Sequence, residues 1–193
     1  MQFLFGKRKI KVTKEEFAEV LLLWLTRQVN REAITRDAKI FDLQSEDEWQ
    51  SREAKELFGL NLANKKEFTV LIEELVILNM WIIVRACERV FDDVNKRDDC
   101  LDIFHKIVFE RLIKEDDEEF EQWHFGLADK YVEYSKAVDA EPSSNAMLNL
   151  TSVVYRNLHG DAIPDAFTGF EIGAYVAESI KALEEAIKQY KVK

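Results

Sequence analysis

Residues 67–93 read EFTVLIEELVILNMWIIVRACERVFDD, which includes the most apolar stretch of the chain. The central turns of this segment are hydrophobic on every side except at Asn79. A helix without a polar face is typical of one that other helices surround. Its most apolar part, LVILNMWIIV at 75–84, is only ten residues long and has charged flanks, so it is too short to cross a bilayer. We therefore predict a buried central helix over about 67–93 and no transmembrane segment.

The composition favours helices throughout the chain. Among 193 residues, 47% are hydrophobic, which is enough to fill a core, whereas Gly (6) and Pro (2) are scarce. A β-rich chain of this size needs many more turn residues. We predict an all-α, single-domain bundle of six or seven helices over residues 1–193. Residues 1–12 are expected to form a short N-terminal lead that combines apolar and basic side chains.

Local signals place the other helices. Thr13-Lys14-Glu15-Glu16 has the form of a capping box and predicts a helix to about Ala33. Ser45-Glu46-Asp47-Glu48 resembles a second box and predicts a shorter helix that ends near Gly59. Apolar periodicity then predicts helices at about 98–115, 117–139, 146–158 and 168–190. The last of these is expected to bury a row of side chains from Phe170 to Ile187.

The formal charge of −10 limits the partners that this protein is expected to bind. An acidic surface repels phosphate backbones, so general nucleic-acid binding is disfavoured, and a partner with a basic surface is favoured. The run KEDDEEFE at 114–121 could form an electrostatic docking surface for a basic partner. The simpler interpretation of this run is structural, as a solvated helix junction, because acidic residues are favourable at a helix N-terminus.

Cysteine usage and the N-terminal sequence favour a cytoplasmic protein. Cys87 and Cys100 are the two cysteines, and they form no CxxC pattern. Reduced, buried thiols suit a reducing compartment. The opening MQFLFGKRK has an apolar run shorter than the core of a signal peptide. We therefore expect a cytoplasmic location.

Two acid-x-x-His pairs suggest a metal site as the alternative function. Asp102 precedes His105 by three residues, and Glu121 precedes His124 by the same spacing. On a helix this spacing places both side chains on one face, as in the helical metal sites of carboxylate bundles. If the two helices form a hairpin, these four residues converge on a divalent metal, and Glu73 or Glu74 could complete the ligand set.

The geometry of residues 98–139 decides this alternative. No Gly or Pro separates the two predicted helices before Gly126, so one continuous helix is also compatible with the sequence. In that case the two histidines would be about 28 Å apart and would share no site. A simpler interpretation is that each histidine lies at the boundary of the core and bonds a neighbouring carboxylate.

The sequence contains no Walker loop, GxGxxG, GxSxG, HExxH or CxxC motif. Enzymatic activity stays undecided on this basis, and we expect no cofactor unless the histidine pairs bind metal. The leading hypothesis is a non-enzymatic interaction module with an acidic helical surface. The many aromatic residues also make a helical homodimer plausible.

Overall fold

The computed structural model describes residues 9–32, 65–112, 117–140, 145–160, 164 and 166–193. In these ranges the chain forms six α-helices and two short β-strands. In chain order they are β1 (Ile10–Val12), α1 (Lys14–Glu32), α2 (Lys65–Val90), α3 (Val94–Leu112), α4 (Asp117–Asp139), α5 (Ala146–His159), α6 (Ala166–Ile187) and β2 (Tyr190–Val192). The all-α bundle is confirmed. The helix predicted from Ser45 lies outside the described residues.

Helix α2 is the central helix of the bundle, as its lack of a polar face predicts. It contacts each of the other five described helices. Its middle turns contain fully buried side chains, among them Leu78, Trp81 and Ile82. Because neighbours surround this helix, apolar side chains on every side can be removed from water.

The first helix begins at the predicted capping box. The backbone N–H of Thr13 donates to Glu16 Oε2 at 2.7 Å, and the N–H of Glu16 donates to Thr13 Oγ1 at 3.2 Å. These reciprocal bonds satisfy two backbone donors that the helix itself leaves without a partner. The capping box therefore sets the start of α1 as predicted.

Helix α3 begins four residues earlier than the periodicity predicts. Its start at Val94 follows Asp93, whose Oδ1 accepts a hydrogen bond of 3.1 Å from the backbone N–H of Lys96. Asp is among the best N-cap residues, so the break between α2 and α3 falls at Phe91–Asp93 and not at Asn95–Asp98.

Helices α3 and α4 are separate helices that approach each other where His105 meets Tyr131. The His105 Nε2 and Tyr131 Oη atoms are 3.2 Å apart, although 26 residues separate them in sequence. In one straight helix that separation would be about 39 Å. Helix α3 also packs extensively on α1, where Lys14 pairs with Asp99 at 2.5 Å.

The two ends of the described chain lie side by side. Strands β1 and β2 pair in parallel, with Ile10 opposite Tyr190 and Val12 opposite Val192. The Tyr190 ring packs edge-on against Phe17, with 6.1 Å between the ring centroids. Neither strand is predicted from the sequence. The last helix consequently ends at Ile187, earlier than the predicted residue 190.

One predicted core residue lies on the surface. Phe170 is 71% exposed, whereas Val176, Ile180, Leu183 and Ile187 of the same helix are buried as predicted. At about 100° per residue, Phe170 lies about 120° away from Val176 around the helix axis, which is outside the buried stripe. Within the described ranges, no helix is both long enough and apolar enough to span a bilayer.

Candidate functional site

The structure describes the first acid-x-x-His pair in full and the second in part. On α3, the Asp102 side chain is exposed and the His105 side chain is partly buried. Glu121 and His124 belong to α4, but their side chains lie outside the described part of the chain. No group of three or more His, Cys, Asp and Glu side chains suited to a metal ion occurs among the side chains that are described. The four-residue metal site therefore stays a prediction.

His105 lies between α3 and α4, and both of its ring nitrogens have partners. Nδ1 is 2.8 Å from the backbone carbonyl of Leu101, one turn earlier in α3. Because a carbonyl only accepts, Nδ1 carries the proton and donates it. In the neutral tautomer, Nε2 then accepts a hydrogen bond of 3.2 Å from the Tyr131 hydroxyl. This pattern orients the imidazole ring toward α4.

The two glutamates held in reserve for the metal site point in different directions. Glu73 is exposed, whereas Glu74 is buried, with 1% of its surface accessible. The Glu74 carboxylate accepts hydrogen bonds from Lys130 Nζ, from the Tyr134 hydroxyl and, at 3.0 Å, from Asn157 Nδ2. These donors come from α4 and α5, so the carboxylate joins three helices.

The chemistry of this buried cluster favours a structural role. A buried carboxylate is stable when a cation and several donors replace its water. Burial, followed by the charge of Glu74, raises the pKa of the Tyr134 hydroxyl well above its ordinary value. Tyr134 therefore stays protonated and donates to Glu74 throughout the physiological pH range.

A shallow groove between α2 and α4 lies near these residues. It has a volume of about 390 Å³, and its lining includes Trp81 and Arg85 on one side and Tyr131 and Asp139 on the other. The Arg85 guanidinium lies 5.7 Å from the centroid of the Trp81 ring and bonds Asp139 at 2.7 Å. The groove therefore has aromatic walls and an internally neutralised charge, which suits an apolar side chain better than an ion.

The two thiols show no sign of reactivity. Burial raises the pKa of Cys87 to about 12 and that of Cys100 to about 11. Because the thiolate is the nucleophile, such thiols react slowly near neutral pH. The prediction of buried, reduced cysteines agrees with these environments.

The residues that the sequence analysis overlooked are the donors from α4 and α5. Lys130, Tyr134 and Asn157 carry no motif, and 56 to 83 residues separate them from Glu74. The sequence signal for this cluster was Glu74 itself, an acidic residue that directly precedes the apolar run of α2. A buried acid requires donors, but their positions depend on how the helices pack.

Comparison with known proteins adds no relative. No protein-family model matches the chain, and no curated protein or solved structure is significantly similar to it.

Proposed function

We propose that this protein is a non-enzymatic interaction module that binds a basic protein surface through the acidic segment 114–121. The observation that carries the proposal is the concentration of charge in this segment. KEDDEEFE contains one Lys and six acids, about half of the formal charge of −10 of the whole chain. Such a density of one sign attracts a basic partner and accelerates its association.

The ion pairs of the neighbouring described residues support this proposal. Arg111 is the last described basic side chain before the segment. Its guanidinium already makes two contacts with the Glu19 carboxylate, at 2.9 and 2.5 Å. Pairing with Glu19 keeps this arginine in contact with α1, so it is a weak source of countercharge for 114–121.

Many of the acids elsewhere on the surface are paired. Asp99, Glu133 and Glu184 bind Lys14, Arg156 and Arg89, respectively, across helix–helix contacts. Such pairs neutralise charge locally. Pairing of this kind offsets acidic charge among the described residues, whereas the sequence of 114–121 offers Lys114 alone against six acids.

A binding measurement tests the proposal. The probe is a lysine-rich peptide of about ten residues, titrated into the full chain by calorimetry at low and at physiological ionic strength. The test variant neutralises four acids of the segment: Glu115→Gln, Asp116→Asn, Glu118→Gln and Glu119→Gln. The control variant removes the same charge at four exposed acids elsewhere: Asp92→Asn, Asp102→Asn, Asp129→Asn and Glu178→Gln.

We expect salt-sensitive binding that the test variant weakens by about tenfold or more and that the control variant weakens much less. Equal losses in the two variants would show that net charge alone attracts the peptide, and the proposed docking surface would be wrong. Circular dichroism of both variants confirms that each retains its helices.

A metal-binding bundle is the second candidate, and the geometry of His105 favours it. Histidines that bind metal usually donate their other ring N–H to a carbonyl or carboxylate, as His105 Nδ1 does to Leu101. A metal ion at Nε2 would have to displace the Tyr131 hydroxyl. Elemental analysis of protein purified without an affinity tag tests this. Stoichiometric metal that His105→Ala and His124→Ala abolish, and that His159→Ala retains, would support the candidate.

A further inference from the structure

We propose that α6 is a homodimerisation helix, with a second copy of the chain packed antiparallel on the outward face formed by Phe170, Ala174 and Ala177. We call this face the α6 stripe. At about 100° per residue, its three members lie within about 60° of one another around the helix axis. These residues lie outside the acidic segment 114–121, so the proposed dimer does not depend on that segment.

The α6 stripe is unusual because it is apolar on the solvent side. Phe170 is 71% exposed and Ala177 is exposed, while Ala174 is partly exposed. From Ala166 to Ala177 the helix carries one charged residue, Glu171. A surface helix normally places polar residues opposite its buried stripe, so a second apolar stripe indicates a second packing surface.

Helix α5 extends this apolar surface. Thr151 Oγ1 donates to the carbonyl of Gly169 at 3.1 Å, and Met147 lies 3.4 Å from the position that a Cβ on Gly173 would occupy. These contacts show that the two helices pack antiparallel, because earlier residues of α5 meet later residues of α6. In antiparallel neighbours, the residues that follow the contact positions project to the same side. Leu148, which is 57% exposed, is therefore expected on the same side of the helix pair as Phe170.

The α6 stripe is complementary to itself. A two-fold axis midway between Ala174 and Ala177 places these small side chains opposite each other, which allows the helices to approach closely. The same axis places Phe170 of one copy opposite Lys181 of the other copy. Glu171 of the first copy then lies beside that lysine. Lys181 is exposed, and among the described residues neither it nor Glu171 takes part in an ion pair. A lysine can therefore cover the aromatic ring and pair with the carboxylate, twice per dimer.

This surface is narrow, so we expect a weak dimer. One helix face with a flanking residue buries less than the ~800 Å² per partner of a standard interface. The dissociation constant should then be on the order of micromolar.

Sedimentation velocity of the full chain over a wide range of concentration tests the proposal. We expect a concentration-dependent dimer whose dissociation constant Phe170→Glu raises by about tenfold or more. The control is Val132→Glu on α4, since Val132 is exposed to 51% and lies outside the α6 stripe. This control should leave the dimer intact. Circular dichroism verifies that each variant is folded.

A charge-swap experiment tests the register. Glu171→Lys and Lys181→Glu should each weaken the homodimer, because like charges then face each other across the axis. Mixing the two variants should restore association, since each lysine meets a glutamate in the heterodimer. A monomer at every concentration, a dimer insensitive to Phe170→Glu, or a mixture no stronger than its components would each overturn the proposal. If the chain is a monomer at every concentration, the α6 stripe would instead be a binding surface for a different protein.

Discussion

Glu74 illustrates how a single buried carboxylate can hold three helices in place. Its oxygens accept from donors on α4 and α5, and its own backbone belongs to α2. Removing a carboxylate from water is unfavourable unless such donors replace the lost hydration. The charge of Glu74 is therefore expected to contribute to the stability of the cluster.

Glu74→Gln should lower the free energy of unfolding by about 1–3 kcal/mol, because the neutral amide no longer compensates Lys130 and its NH2 group cannot accept a hydrogen bond from the donors that surround it. The control is Asp129→Asn at an exposed position of α4, where we expect a change within about 0.5 kcal/mol. Urea denaturation of both variants measures the difference. Equal costs at the two positions would show that the cluster contributes no specific stability.

The burial of Cys87 and Cys100 is expected to make the protein less stable in alkaline solution. Folding raises the pKa of Cys87 to about 12 and that of Cys100 to about 11, chiefly through burial. A raised pKa of an acid means that the folded state favours the protonated form. This contribution is complete below pH ~8.5, the unfolded value, and is lost as the pH rises toward the folded pKa.

We therefore expect the free energy of unfolding to fall between about pH 8.5 and 10, before tyrosine titration dominates. In the Cys87→Ala, Cys100→Ala variant this decline should be much flatter, whatever the absolute stability of the variant. Urea denaturation at several pH values measures both slopes. Identical slopes would contradict the burial of the two thiols.

Sequence reasoning identified which buried polar residues need partners but not the partners themselves. Asn79 is isolated in an apolar run, and a buried amide requires hydrogen-bond partners. In the structure its Nδ2 donates to Leu75 O at 2.8 Å, and its Oδ1 accepts from the Tyr175 hydroxyl at 2.6 Å. Tyr175 is 96 residues away in sequence, and no local pattern contains that information. The same holds for Tyr131 beside His105.

At the scale of elements, the helices were predictable because their signals are local. Apolar periodicity and the Thr13 capping box placed α1, α2, α4 and α5 within a few residues of their observed ends. The two strands could not be predicted, because each has three residues and is stabilised by pairing with a strand at the far end of the described chain. Phe170 was misplaced because its apolar character suggested burial, whereas its angle around α6 determines exposure.

Substitutions at two helical glycines are expected to have opposite effects on the free energy of unfolding. Among the described residues, no atom outside the local helix backbone lies within 4 Å of the position that a Cβ would take on Gly126 in α4. Gly126→Ala should raise the free energy of unfolding by about 0.5–1 kcal/mol, because alanine loses less backbone entropy in a helix. Gly173→Leu should lower it by about 1–3 kcal/mol, because α5 approaches this glycine closely.

Thermal and urea denaturation of the two glycine variants compare these effects. A Gly173→Leu variant as stable as the parent would show that α5 and α6 are not in the close contact described above. A loss of stability in Gly126→Ala would contradict the open surface at that position of α4.

At the scale of the whole molecule, one central helix and a short sheet connect the described parts of the bundle. Helix α2 contacts all five other described helices, and β1 and β2 join the two ends of the described chain. The charge is distributed unevenly over this architecture, with about half of the formal −10 in residues 114–121. This uneven distribution of charge is the basis of the proposal that residues 114–121 bind a basic partner.

Amide chemical-shift mapping by NMR tests the proposed docking surface most directly. An isotope-labelled full chain is titrated with a lysine-rich peptide of about ten residues at physiological salt, and the shifts are assigned to positions. The proposal predicts saturable changes concentrated in residues 114–121 and in the adjoining turns of α3 and α4. Changes scattered over all exposed acids, or concentrated on α6, would contradict it.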